Sequence, residues 1–524
     1  MSELDPKRRL VILAISCLSL FMIGVDDTIV SIALPTIARG LNASVSGLQW
    51  IVDGYTMVLA SLLIFGGATA DRFGRRRVFR IGLAIFTLGS ALCSVAPSLS
   101  WLIAFRVLQA VGGSMLNPVA VSIISGIYTR PRARAQAISV WVGMYGLGMA
   151  AGPALGGILI AAVGWRGIFW VNIPIGLCAI ALTSRIIPES RAARPRRQDP
   201  FGQFLVIVML ASLFWAIIEG AYTDWHAIAI RGLFIWAVAL LPVLIAWELR
   251  RPEPLIELRS FRSASLSAAV VIAICAFADL GGFLFLTSIY LQNLRGLSVL
   301  DAGLHMLPTA VAMALCPSAA AWLTARTGSA RLPLLLGGLV LMLSMSELSQ
   351  LSPTTSTVRL LVTFGLFGVG MGLVNSQISV AAVAGMPVGQ AGLASGIASA
   401  SRQLGQALGV AVAGSLLTAR AGSLAGVSAA FGMATYPAWH LLFGGACLVT
   451  AAGLVTRRAR PRHGVARGFL GVGRARSERH ARTGELPRAA AAAGEARGSG
   501  LGVDSGSVFN FDHEEGAADH ASQL

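Results

Sequence analysis

The sequence predicts an all-α integral membrane protein that crosses the bilayer fourteen times. Three observations carry that fold class. Of 524 residues, 55% are hydrophobic and only 12% charged, with a mean hydropathy of +0.72. Soluble domains carry about twice that share of charge. The apolar residues fall in fourteen runs long enough to span a membrane, which needs roughly 20 residues each. Arginines gather in alternate connections between those runs.

The spans begin near Leu10, Leu48, Val78, Trp101, Ala137, Gly167 and Phe201, then near Gly232, Ser263, Gly303, Leu332, Val358, Ala400 and Ala438. The first is too long for a signal-peptide core and lacks a cleavage site, so it reads as a transmembrane helix. The connections carry Gly, Pro or Arg punctuation. The runs are continuous rather than alternating, which excludes barrel strands. The 59 glycines suit close helix packing in lipid.

Orientation follows from the basic residues. One set of connections carries Lys7, Arg8 and Arg9, then Arg72 to Arg80, Arg130 to Arg134, Arg185 to Arg197, Arg250 to Arg262, and Arg326 with Arg331. The opposite set carries single residues: Arg39, Arg166, Arg231, Arg295, Arg359 and Arg420. Both termini are therefore expected in the cytoplasm. The net charge of +17 sits in these short clusters rather than on one face, so no nucleic-acid partner is expected. The six cysteines lie inside apolar runs without paired spacing, so neither a disulfide framework nor a metal site follows.

The chain repeats itself. Gly67-Ala-Thr-Ala-Asp71-Arg72-Phe-Gly74-Arg75-Arg76-Arg77 lies between spans 2 and 3, and Ala321-Trp-Leu-Thr-Ala325-Arg326-Thr-Gly328-Ser-Ala-Arg331 between spans 10 and 11. A small residue, Arg, Gly and Arg recur at the same offsets. That predicts two six-helix bundles, 1–190 and 256–456, with spans 7 and 8 inserted at 191–255 and a disordered tail at 457–524.

Intramembrane charges mark the chemistry, because they are costly in lipid. Asp26 lies roughly 25 Å along span 1 at 1.5 Å per residue. Asp53 and Arg106 come shortly below the outer starts of spans 2 and 4, so the three share one depth. Two carboxyls near one buried guanidinium make a candidate proton site. The competing reading is a static ion pair tying spans 1, 2 and 4 together. Asp279 mirrors Asp26 in the second bundle, seventeen residues beyond Arg262. It is a candidate for a cationic substrate or a second proton, with a core Asp bonded internally as the alternative. Asn117, Asn375 and Gln377 are candidate cavity residues or interhelical hydrogen-bond formers. Gly148, Gly152, Gly156 and Gly157 line one helical face beside Pro153, which predicts close, bent packing. Asp71, Arg72, Gly74 and Arg75 form a candidate gating turn, with Asp71 expected to meet the start of span 13 around Arg402. No catalytic constellation and no Walker loop is present, so neither enzyme chemistry nor a cofactor is expected.

Several of these stretches together resemble the major facilitator superfamily, in particular its fourteen-span drug:proton antiporter branch (EmrB/QacA-like), over roughly 10–456. Gly67 to Arg77 resembles the superfamily's loop 2–3 motif, with Thr69 where Leu is usual. Val25-Asp26-Asp27-Thr28-Ile29-Val30-Ser31-Ile-Ala-Leu34-Pro35 resembles the branch's span-1 signature, and Trp50-Ile-Val-Asp53-Gly-Tyr55 its span-2 pattern. Arg106-Val-Leu-Gln109-Ala110-Val-Gly112-Gly113 resembles the span-4 motif, with Ala110 where Gly is typical. Gly148 to Gly157 resembles the antiporter motif of span 5, and Trp165-Arg166 through Asn172-Ile-Pro174 also fits. The resemblance implies a major-facilitator fold and proton-coupled export of a drug, antibiotic or metabolite by a monomer in the cell membrane. Asp26 occupies the family's Asp position. Met313 and Gln403 stand where polycation exporters of the branch carry acids, which implies a neutral, zwitterionic or singly charged substrate. Uptake by proton symport, or a non-transporting receptor or scaffold, remain the rival readings.

Overall fold

The computed structural model describes residues 5–191, 199–223, 226–251, 258–384, 391–421 and 424–456. The expected tail, 457–524, lies outside them. Every regular element among the described residues is helical. In chain order these are α1 (Pro6–Leu41), α2 (Val45–Phe73), α3 (Arg75–Ser94), α4 (Leu99–Ile127), α5 (Pro131–Val163), α6 (Gly167–Trp170), α7 (Asn172–Ile186), α8 (Pro200–Tyr222) and α9 (Ile228–Arg250). They continue with α10 (Ala264–Ile289), α11 (Val299–His305), α12 (Leu307–Thr327), α13 (Arg331–Leu348), α14 (Thr357–Ala384), α15 (Ala391–Ala421) and α16 (Leu424–Val455).

Thirteen spans among the described residues are long and apolar enough to cross a membrane. One of them joins α6 to α7, and another joins α11 to α12. The remaining long helix is α15, with 31 residues, which carries Ser, Gln and Arg side chains along its length. Helix starts use the local chemistry expected at a polar boundary. Ser44 Oγ accepts from Gly47 N (3.2 Å), and Ser298 Oγ accepts from Asp301 N (3.0 Å). Pro stands in the first turn of α1, α5 and α8, where its missing N–H costs nothing.

The internal repeat is real in three dimensions. Glycines let α5 press on α1: an added Cβ at Gly24 would meet the Tyr145 carbonyl, one at Gly148 the Phe21 carbonyl, and one at Gly156 would lie 2.6 Å from Ile32 Cγ2. In the second bundle α15 presses on α10 the same way, through Gly281, Gly405 and Gly409. The two repeat glycines, Gly74 and Gly328, both take positive φ, 108° and 66°. Both therefore supply the turn that a side chain would strain.

Among the described residues, the contacts between the bundles gather at one end. At the Leu41 end, Gln49 Nε2 donates to the Ala411 carbonyl (2.7 Å), and Gln292 Nε2 donates to the Ile32 carbonyl (2.7 Å). A Cβ on Gly157 would lie 2.9 Å from Leu300 Cα, so backbone touches backbone there. One apolar cluster runs through both bundles at this end. At the Pro6 end the first bundle has a separate core, built from Ile12 to Ile23, Val78 to Phe86 and Leu116 to Ile127, which includes no residue of the second bundle.

The inserted pair straddles that seam. α8 packs on α2 and α15 together, through Leu205, Phe214, Met57, Ala407 and Ala411. Trp50 Nε1 donates to Glu219 Oε1 (3.0 Å), Gln203 Nε2 to the Ser61 carbonyl (2.7 Å), and Ser415 Oγ to the Ile217 carbonyl (2.7 Å). Sequence reasoning missed Glu219. Its signal was a lone acid in an otherwise apolar span.

Candidate functional site: a buried acid–guanidinium centre between two bundles

Asp26 is fully buried in α1, and every hydrogen bond it accepts comes from another helix. Its Oδ2 accepts from Arg106 Nη1 of α4 at 2.6 Å. Its Oδ1 accepts from Gln109 Nε2 (2.9 Å) and from Asn172 Nδ2 of α7 (3.0 Å). Ser90 of α3 ties the amides together, accepting from Asn172 Nδ2 (3.0 Å) and Gln109 Nε2 (3.4 Å), while its hydroxyl donates to the Phe169 carbonyl (3.0 Å).

Arg106 is held as firmly. Its Nη1 also donates to Gln109 Oε1 (2.7 Å) and its Nε to the Ile51 carbonyl (3.4 Å), and the guanidinium lies 4.0 Å over the Tyr55 ring. Arg106 and Gln109 are three residues apart on α4 and so share a face. The helix presents cation and amide as a unit to one carboxylate. A pair this dry needs hydrogen bonds on every side to offset its desolvation. The motif residues Gln109 and Asn172 supply them, and sequence reasoning gave neither a role.

Asp53 departs from the expected cluster. It is fully buried, but neither carboxylate oxygen has a hydrogen-bond partner, and it makes no ion pair with Arg106. The reason is helical register. Asp53 follows Trp50 by three residues and precedes Met57 by four, so it lies on the stripe of α2 that faces α8 and α15. Tyr55 and the Ile51 carbonyl face Arg106 instead. Equal depth did not mean equal direction.

The other expectations divide. Tyr145 of α5 donates to Asp27 Oδ2 at 2.7 Å, so this second acid has a partner of its own. Asp279 is fully buried with both oxygens unpartnered, beside Gly445 of α16, where an added Cβ would come within 2.8 Å of Oδ1. Its position repeats that of Asp26, but its surroundings do not. Gln377 is buried and accepts from Thr324 Oγ1 (2.7 Å), which makes it a link between α14 and α12. Asn117 and Asn375 are partly exposed, as a cavity-lining residue would be.

The candidate gating turn stays within its own bundle. Asp71 pairs with Arg75 (3.0 Å), Arg75 Nη1 donates to the Ser122 carbonyl (3.3 Å), and Arg72 lies over the Phe73 ring at 5.5 Å. A Cβ on Gly67 would lie 3.2 Å from Pro118 Cβ. Glu189 caps α3, accepting from Arg76 N (3.1 Å) and Arg77 N (3.2 Å). Arg402 does not meet Asp71. α15 extends back at least to Ala391, so Arg402 lies about 16 Å along that helix at 1.5 Å per residue. Its Nη2 donates to Ser379 Oγ at 2.7 Å. In the span-5 motif, Gly148, Gly152 and Gly156 face α1. Gly157 packs on Leu300, and the Pro153 carbonyl lies where a Cβ on Gly303 would point.

Thirteen or more membrane-length helices in two repeated bundles, with a hydrogen-bonded ion pair buried inside one of them, define a membrane transporter. The comparisons give its family: the Major Facilitator Superfamily profile matches residues 16–410, and the chain belongs to that superfamily. It is 37% identical to the multidrug resistance protein Stp of Mycobacterium tuberculosis over 414 residues, 79% of this chain and 76% of Stp. It is 34% identical over 405 residues to the tetracenomycin C resistance and export protein of Streptomyces glaucescens, covering 77% and 75% of the two chains. With the multidrug efflux pump LfrA of Mycolicibacterium smegmatis the identity is 32% over 415 residues, 79% and 82% of the two. The fold is similar to that of a bacterial homologue of the human lysosomal transporter Spinster, crystallised inward-facing and unoccupied. The TM-score is 0.62 at 17% identity, covering 87% of this chain and 99% of that one.

Proposed function

We propose that this protein exports small molecules from the cytoplasm in exchange for protons, by alternating access between its two bundles. The buried Asp26–Arg106 pair carries the reading. A carboxylate held by one guanidinium and two amides is a group whose proton affinity changes if any partner moves. The relatives named as efflux pumps and resistance proteins support the outward direction. On this reading the arginine-rich Pro6 end is cytoplasmic, with both termini inside.

The bundles then touch at the outer side and part at the inner side. Substrate enters between them from the cytoplasm, past Asn117 and Asn375. Closure of the inner end opens the outer contacts made by Gln49, Gln292 and Gly157. Asp53 lies on the stripe of α2 that follows this seam, so opening it brings water to a carboxyl that is dry in the present state. Asp53 is therefore a second proton carrier of the cycle. Asp71 and Arg75 stiffen the inner end of the first bundle as it moves, and a single copy suffices.

The test is exchange in everted membrane vesicles. A proton gradient, acidic inside, should drive accumulation of an exported fluorescent dye, and adding the dye should release protons. Accumulation unaffected by collapsing the gradient would overturn the coupling.

A further inference from the structure

We propose that Arg402 is the recognition point for an acidic group on the substrate, a carboxylate or an ionised phenol or enol. The inference rests on the export reading and names the substrate class of the same cavity.

Arg402 is a cation without a counter-ion. Among the described residues it forms no ion pair, although Asp26, Asp27, Asp53 and Asp279 all lie within the bundles. Its one hydrogen bond goes to a neutral hydroxyl, Ser379 Oγ, and its Nε is buried with no partner. Compare Arg106, whose carboxylate lies 2.6 Å away. A guanidinium partly withdrawn from water and lacking an anion is costly, because no opposite charge offsets its desolvation. A protein that keeps such a group keeps it for something that arrives.

Arg402 is also reachable where an arriving anion would pass. It is partly exposed, as are Asn375 and Ser379, which lie four residues apart on α14 and so share a face. Facing them from the first bundle is Tyr145, also partly exposed, and Arg402 interacts electrostatically with its hydroxyl. That hydroxyl donates to Asp27 at 2.7 Å. Behind the guanidinium, Phe277 lies 5.9 Å from its centre, within a buried apolar wall. An acid attached to a flat apolar body fits this pairing of a forked donor with an aromatic neighbour.

The remaining charges agree. Asp279 is sealed against Gly445, Asp27 is occupied by Tyr145, and Asp26 is occupied by Arg106. All four of these acids, Asp53 included, are buried, whereas Arg402 is partly exposed. A doubly cationic substrate would meet repulsion there, and a singly charged anion would not.

The test measures binding, not transport, so its failure and failure of the export reading are separable. Equilibrium dialysis on the purified full chain compares 2-naphthoate with the isosteric neutral 2-naphthamide. The expected result is carboxylate binding about tenfold tighter than amide binding, equivalent to about 1.4 kcal/mol. In Arg402→Gln the ratio should fall to about one while amide binding persists, which also shows that the variant is folded. Arg402→Lys should keep part of the preference. Equal affinities in the unaltered protein, no binding of either compound, or a preference that survives Arg402→Gln would each overturn the assignment.

Discussion

Replacing Asp26 by Asn separates what the buried pair does for the fold from what it does for coupling. The new amide keeps a carbonyl oxygen for Gln109 Nε2 and Asn172 Nδ2, which now donate at 2.9 and 3.0 Å. It loses the 2.6 Å charge-assisted contact and turns an N–H toward Arg106 Nη1. Arg106 remains buried with Gln109 Oε1, the Ile51 carbonyl and the Tyr55 ring. Breaking a buried pair costs about 3–5 kcal/mol, because one charge is stranded. A desolvated cation–π contact of about 2 kcal/mol is retained, so the lower end of that range is expected, about 3 kcal/mol. Thermal unfolding in detergent should show a fall of several degrees, with the protein still inserted. Adding Arg106→Gln to the same chain removes the stranded charge and should restore much of the midpoint. Proton-driven efflux in vesicles should be absent from both variants. A single variant as stable as the unaltered chain would refute the energetic argument. A double variant that still couples dye export to the gradient would refute the assignment of the proton to this pair.

Gly157→Leu should force the bundles apart at the Leu41 end, since even a Cβ would lie 2.9 Å from Leu300 Cα. Spin-label distances across that end should lengthen, and an unchanged distribution would show that the contact adapts. Trp50→Phe removes the donor to Glu219 at 3.0 Å and should cost about 1 kcal/mol of stability, the usual net worth of a hydrogen bond whose acceptor stays partly wet. The check is loss of thermal or protease resistance at the α2–α8 contact with coupling retained. Reporter fusions after Thr456 should report the cytoplasm, and periplasmic activity alone would reverse the assigned orientation.

The helices were legible in the sequence because membrane spans are governed by one strong variable, apolar length. The turns at Gly74 and Gly328 were legible because a positive φ selects Gly there. Asp26 and Arg106 could be brought together by counting rise per residue from the membrane edge. Asp53 could not be placed by the same count. Depth fixes only one coordinate, and the direction of a side chain depends on which neighbour the helix packs against. The neighbour was α8, one of the inserted pair, and no motif announces where that pair docks. Arg402 was misjudged for a related reason. The segment before it is rich in Ala, Gly and Ser, so its hydropathy marked the start of span 13 near Ala400, while the helix reaches back at least to Ala391. An error of nine residues becomes about 14 Å of depth, enough to move a side chain from the membrane edge to the cavity.

The pseudo-symmetry of the chain sharpens the division between its halves. Both bundles keep the same backbone devices: a glycine-lined contact between α1 and α5 or between α10 and α15, and a positive-φ glycine after the second helix. Their charges are not repeated. In the first bundle the acid of α1 is matched by a cation on α4 and two amides, whereas the acid at the same offset in α10 has no partner. The second bundle carries Arg402 on α15, which donates to the Ser379 hydroxyl and, among the described residues, pairs with no carboxylate. A duplicated scaffold needs identical packing to move as two rigid bodies, but nothing requires identical chemistry. On the proposed reading the first bundle keeps a closed ion pair for the proton, and the second keeps an open cation for the substrate. Tyr145 of the first bundle donates to Asp27 and is near enough to Arg402 of the second for their charges to interact. A motion that separates the bundles at that depth weakens this interaction. Proton and substrate occupancy can then sense one another without sharing a residue.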